Sequence, residues 1–146
     1  MIINIKYQEK NNLVCVYDDT IDVINKENKQ KVLDIDDKTS FVSGDLKNRI
    51  CYIKEEKNGI FDLKSTLNIV NTQNSQTYTY NFEEVAKEMY AKENVIGINI
   101  GTEIYFINTN GILIKKYVSK QEITNVILSN NIALVIYKDR IEIVSL

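Results

Sequence analysis

Four segments of this 146-residue chain open on Asn and run into a short apolar strand, a tight turn and a second strand. They cover residues 12–25, 48–54 with 59–63, 94–108 and 131–145, and their leading Asn residues stand 36, 46 and 37 positions apart. A repeat of this length constrains the fold more than any other feature. One such unit cannot bury its apolar side alone, so its copies must stack. Helical solenoids repeat every ~33–34 residues, whereas the blades of a β-propeller repeat every ~40–45.

Ile, Val, Tyr and Phe crowd these segments, and such side chains suit a pleated, packed surface. Residues 13–17 and 132–137 are nearly all apolar, the pattern of a strand covered on both faces. The strands that follow alternate instead, with Ile21 and Val23 against Asp22 and with Ile141 and Ile143 against Glu142. Alternation puts Asp22 and Glu142 on a wetter face. Between the paired strands lie Asp18-Asp19, Lys57-Asn58-Gly59, Ile100-Gly101-Thr102 and Lys138-Asp139. Asp, Asn and Gly tolerate the positive φ of tight hairpins.

Each unit extends on both sides. Residues 31–35 and 112–118 supply an outer strand, and in the second unit either 67–70 or 77–80 does. Residues 2–7, 41–46 and 123–128 supply an inner strand ahead of the Asn. The expected fold is therefore all-β: tandem four-stranded antiparallel blades forming one domain over residues 1–146, a partial β-propeller of about four blades.

Residues 81–94 carry two incompatible signals. Asn81 with Glu84 matches a helix capping box, and Phe82, Val85 and Met89 share a helical face. The repeat instead requires an inner strand before Asn94, with Lys87, Met89 and Ala91 on one side and Glu88 and Tyr90 on the other. The repeat takes precedence, because tertiary packing overrides local propensity; a helical turn at 82–85 then precedes the strand. The outer strand occurs only three times, so the fourth unit leaves an edge and an apolar face open. Two resolutions follow. Either the chain is the C-terminal part of a larger propeller whose preceding blades close the ring, or two copies pair as a homodimer.

Composition narrows the chemistry. The chain has no His, two Cys and a formal charge of −2 from 18 basic and 20 acidic residues. Without His there is no imidazole base and no His-activated nucleophile. Two Cys cannot make a zinc site of Cys and His alone. A slightly acidic chain lacks the basic surface of a dedicated nucleic-acid binder. Lys115, Lys116 and Lys120, beside Glu122, read as a solvated face. No apolar run reaches the ~18–20 residues of a membrane span, and the first residues do not read as a secretory leader.

Most candidate sites have a bland explanation. Asp34, Asp36 and Asp37 alternate as calcium ligands do, but Lys38 intrudes and the turn Gly is missing. Asp18, Asp19 and Asp22 read as a hairpin turn plus one exposed strand residue. Cys15 and Cys51 hold the same repeat position on adjacent blades. Packed sheets lie ~10 Å apart, beyond disulfide reach, so both read as buried free thiols. Gly97, Gly101 and Gly111 lack the Gly-Lys-Ser/Thr of a phosphate loop and belong to hairpins. Tyr78 and Tyr80, alternating with Thr77 and Thr79 beside the polar stretch 71–76, are the candidate ligand-binding residues. Aromatic rings on a propeller loop suit a glycan or a peptide, and core packing is the competing explanation. No cofactor is implied.

Residues 104–118, then Gln121-Glu122-Ile123, then residues 131–143 resemble the end of a family of unknown function from low-GC bacteria. That resemblance implies a propeller about twice as long, anchored in a membrane at its N-terminus and displayed outside the cytoplasm. It offers no catalytic residues to carry over. The functional expectation is a non-catalytic interaction or ligand-recognition module whose partner is a protein or glycan. The alternative is part of a propeller hydrolase acting on glycans or peptides, with carboxylates such as Asp18 or Asp36 sharing acid–base work with missing blades. Its mark is carboxylates from several blades converging at ~5–9.5 Å.

Overall fold

A computed structural model of the chain describes residues 1–8, 12–26, 28–57, 63–129 and 131–146. The described residues form strands and turns, with no helix. Blade 1 contains β1 (Ile2–Gln8), β2 (Asn12–Tyr17), β3 (Thr20–Ile24) and β4 (Lys29–Asp34). Blade 2 contains β5 (Thr39–Leu46), β6 (Arg49–Lys57), β7 (Leu63–Asn71) and β8 (Thr77–Phe82). Blade 3 contains β9 (Glu88–Lys92), β10 (Val95–Asn99), β11 (Glu103–Asn108) and β12 (Leu113–Val118). Blade 4 contains β13 (Asn125–Leu128), β14 (Ile132–Ile136) and β15 (Ile141–Ser145). Every sheet is an antiparallel meander in chain order, three of them four-stranded and the last three-stranded. The first strands β1, β5, β9 and β13 approach one another in succession and form the inner side of the stack.

The core lies between blades. Val14, Val16, Ile21 and Val23 of blade 1 meet Ile50 and Val42 of blade 2. Cys51, Ile53, Leu67 and Ile69 on the other face of blade 2 meet Ile96, Ile98 and Ile107 of blade 3. Val95, Ile104 and Phe106 on the far face of blade 3 meet Val126, Leu128, Ala133, Val135 and Val144 of blade 4. Each blade thus offers a leading face to the next blade and a trailing face to the one before. Gly44 permits the first approach: a Cβ there would stand 3.3 Å from Val14 Cγ1. Backbone contacts tie the inner turns together, with Lys47 N–H donating to the Glu93 carbonyl at 2.8 Å and Glu93 N–H to the Asp45 carbonyl at 2.9 Å.

Residues 81–94 resolve in favour of the strand. β9 pairs with β10 from Glu88–Asn99 to Lys92–Val95. Met89 and Ala91 pack on the blade 2 side and Tyr90 on the blade 4 side, as the repeat requires. No helical turn precedes it; the chain bends at Glu83, Glu84 and Lys87, and the Ala86 N–H donates to the buried Ser65 Oγ at 2.9 Å. In blade 2 the outer strand is β8, while 67–70 belongs to the third strand, β7. The turn at Lys57-Asn58-Gly59 and the strand expected from Gly59 lie, over 58–62, outside the described residues.

Three local readings change. Asn12 sits inside β2, opposite Gln8, whereas Asn48 occupies the turn with φ 52°. That one-residue offset flips faces. Cys15 lies on the trailing face of blade 1 and Cys51 on the leading face of blade 2; both are buried and free. Asp22 does lie on the face away from blade 2, yet it is buried, paired with Lys29 at 2.8 Å. Glu142 points inward toward blade 3, where the Tyr117 hydroxyl donates to it, and Ile141 and Ile143 point out.

Phe106 is fully buried between blades 3 and 4. Phe106→Ala is expected to cost about 3–5 kcal/mol, the range for an emptied aromatic site, read as a fall in urea midpoint at unchanged m-value.

Candidate recognition face

Meander topology sends the inner turns and the turns between third and outer strands to one end of the strands. The remaining connections go to the other end. At the inner-turn end, side chains of blades 1, 2 and 3 surround a depression of about 500 Å³ lined by Lys6, Gln8, Asp45, Lys47, Glu93 and Asn94, among others. That volume lies within the range of small-ligand and peptide pockets, ~300–1,000 Å³. Its lining carries both signs of charge.

Gln8 holds its wall. The side chain ends β1 and is buried. Its Nε2 donates to the Leu46 carbonyl at 3.0 Å and the Arg49 carbonyl at 2.7 Å, with Gly44 O at 3.3 Å. Its Oε1 accepts from the Thr72 hydroxyl at 3.1 Å. A neutral amide that satisfies both its donor and its acceptor sides costs little to bury and fixes the spacing of two blades. Lys6, two residues earlier, forms an ion pair with Asp45 across the same seam.

Thr72 brings the polar stretch 71–76 alongside. Its N–H donates to the Asn48 carbonyl at 3.1 Å, and Gln73 through Gln76 are exposed. Tyr78 and Tyr80 both face blade 3 and both are half-buried against the blade 2–blade 3 core. They part company along β8. Tyr78 stays near the turn, under the Arg49 guanidinium at 5.9 Å, and Arg49 Nε also donates to the Thr109 carbonyl at 3.1 Å. Tyr80 lies nearer the opposite end, in an aromatic cluster with Phe82 at 4.9 Å and Tyr105 at 6.2 Å between ring centroids. The pair is thus built into an interblade seam, and only Tyr78 adjoins the depression's side of the molecule.

The carboxylates divide between the two ends. Asp18 in the β2–β3 turn accepts from the α-amino group at 2.5 Å, which lowers its pKa. Asp36, in the connection from blade 1 to blade 2, accepts from Lys54 Nζ at 2.9 Å and Thr39 Oγ1 at 2.9 Å. Those bonds, Lys54's foremost, pull its pKa from 3.8 to about 2. A general acid near neutral pH needs the opposite shift. Both groups lie at the end away from Asp45 and Glu93, so the four do not gather at one mouth.

The depression was invisible to local reading, because Gln8, Asp45 and Glu93 are 37 and 48 residues apart. One signal was available: each lies in or beside an inner turn, and the repeat brings those turns side by side.

No protein-family model and no curated protein sequence matches the chain. Solved structures do match in fold. Hsv2 of Kluyveromyces marxianus superimposes at a TM-score of 0.63 with 12% identity, covering 99% of this chain and 46% of Hsv2. Hsv2 of Kluyveromyces lactis gives 0.55 with 12% identity over 92% of this chain and 42% of its own. BamB of Moraxella catarrhalis gives 0.51 with 10% identity over 90% and 39%. These are β-propellers, and the chain has the fold of a partial propeller spanning less than half their length.

Lowering pH should titrate Asp36 with a midpoint near 2 rather than 3.8. Because the folded pKa is depressed, its contribution is complete above about pH 4 and fades as pH falls toward 2. Asp36→Asn should flatten that part of the stability profile. Carboxyl NMR shifts and urea midpoints across the range check both.

Proposed function

We propose that this chain is a non-catalytic recognition module of propeller type that binds a polypeptide segment at the inner-turn face. The observation that carries this reading is the depression of about 500 Å³ assembled from three blades, with Lys6, Asp45 and Glu93 presenting both signs of charge at its wall. Side-by-side ammonium and carboxylate groups suit a polypeptide, which supplies backbone donors and acceptors together with side chains of either charge. A glycan site relies more on open aromatic platforms, and Tyr78 and Tyr80 are half-buried in a seam. In this reading Tyr78 and the exposed stretch 73–76 form the outer rim, and Tyr80 supports the rim from within the aromatic cluster. Hsv2 and BamB support the reading at the level of fold alone.

Panning the immobilised chain against a random peptide library, in parallel with a glycan array, tests this. Peptides are expected to bind, and Lys6→Glu with Glu93→Lys should weaken them about tenfold or more, ~1.4 kcal/mol, with circular dichroism showing the fold retained despite loss of the Lys6–Asp45 pair. Glycan binding alone, or peptide binding indifferent to both reversals, would overturn it.

A further inference from the structure

We propose that a second copy of this chain packs head to tail on the first, the leading face of blade 4 on the trailing face of blade 1, at both junctions of a two-chain ring. The proposal stands on the end faces and not on the recognition depression.

Three interfaces inside the chain obey one rule: a leading face buries itself on the next trailing face. At the end of the stack the leading face of blade 4 has no such cover. Register places Ile127, Leu134 and Ile143 directly opposite one another across its three strands, with Ile136 opposite Ile141 and Ile132 opposite Ser145. Ile127 is 53% exposed, Ile141 60% and Ile143 71%. This face carries no charged residue, from Asn125 to Ser145. A sheet face intended for water interleaves polar side chains. An apolar patch that is contiguous across three strands marks an interaction site.

Its complement lies at the other end. The trailing face of blade 1 aligns Tyr7 with Leu13 and Ile24, and Ile5 with Cys15 and Asp22. Ile5 is 49% exposed and Tyr7 83%. Among the described residues this is the one trailing face without a leading face against it. The charges on it are confined to blade 1's last two strands and are paired with one another, Asp22 with Lys29 and Asp34 with Lys31, both at 2.8 Å, which leaves the inner part of the face apolar. The occupant that matches in shape, in strand direction and in apolar chemistry is therefore blade 4 of another copy.

The arc has the right extent. It has four blades, and two such arcs make eight, within the 4–8 blades typical of a closed propeller. A head-to-tail contact forms a ring when its rotation closes, and an open fibre when it does not. Here closure forms the same junction twice.

Light scattering and native mass spectrometry of the purified 16.9 kDa chain test this. The expected species is a dimer. Ile143→Lys and Ile5→Lys alter exposed side chains, so each should fold, with unchanged far-ultraviolet circular dichroism, and each should run as a monomer. Mixing the two variants should restore a dimer through the one junction left intact, formed by the blade 1 face of the first and the blade 4 face of the second. Three results overturn the proposal. A monomeric parent chain would assign the end faces to blades of a longer polypeptide. A dimer that survives Ile5→Lys would mean blade 4 pairs with blade 4. Species that lengthen with concentration would mean the contact does not close.

Discussion

The fold depends on burial between sheets. Within a blade, hydrogen bonds satisfy the backbone but leave two faces, and neither face can hide its Ile and Val side chains without a neighbour. Ile53, Leu67, Ile69, Ile96 and Ile98 are all fully buried, and all lie in a single seam between blades 2 and 3. Stability in such an array is close to a sum of nearest-neighbour terms. Interior blades are held from both sides. Within one copy, blades 1 and 4 are each held from one.

Polar groups refine what the apolar seams establish. Gln8 is bonded to three carbonyls of blade 2 and to Thr72; a shift of one residue between blades 1 and 2 would leave that amide unsatisfied in a buried place. The Lys47–Glu93 backbone bonds do the same for blades 2 and 3. Both devices sit at the inner turns, where neighbouring strands come closest. The same crowding gathers Lys6, Asp45 and Glu93 into one depression. Register control and a recognition surface are two results of one convergence.

Much of this architecture is legible in the sequence because hairpins are local. The Asn-led strand pairs, the Asp, Asn and Gly turns and the missing fourth outer strand all follow from contiguous residues. Gly101 and Gly111 adopt φ of 105° and 75° in the turns where they were expected. What local reading misses depends on which face a strand shows to which neighbour. Residues 82–92 have the composition of a helix, yet 88–92 become a strand because blade 3 lacks an inner strand without them. Asn12 looks equivalent to Asn48 and is offset by one position, which turns Cys15 away from the seam that receives Cys51. Asp22 looks wet and is buried beneath Lys29. The depression is the extreme case, since its residues come from the inner turns of three different blades.

β15 shows how far such a reversal reaches. Its alternation, Ile141-Glu142-Ile143, reads in isolation as a strand with apolar residues inward and a carboxylate in water. Blade 4 inverts this. Glu142 turns inward because the Tyr117 hydroxyl and Arg140 Nε, the latter at 2.7 Å, both bond to it, and Tyr117 in turn meets the Tyr137 hydroxyl at 2.6 Å. These bonds lower the pKa of Glu142, Tyr117 first and Arg140 second, so the inward carboxylate is stable as an anion at the blade 3–blade 4 seam. With the polar member of the alternation committed there, Ile141 and Ile143 have only the outer face left. That face follows from engaging the part-exposed carboxylate on the blade 3 side, and its polar members are only Asn125 and Ser145 at its margins. A sequence evolved to meet solvent on that side would have placed Glu142 there and an Ile at the seam.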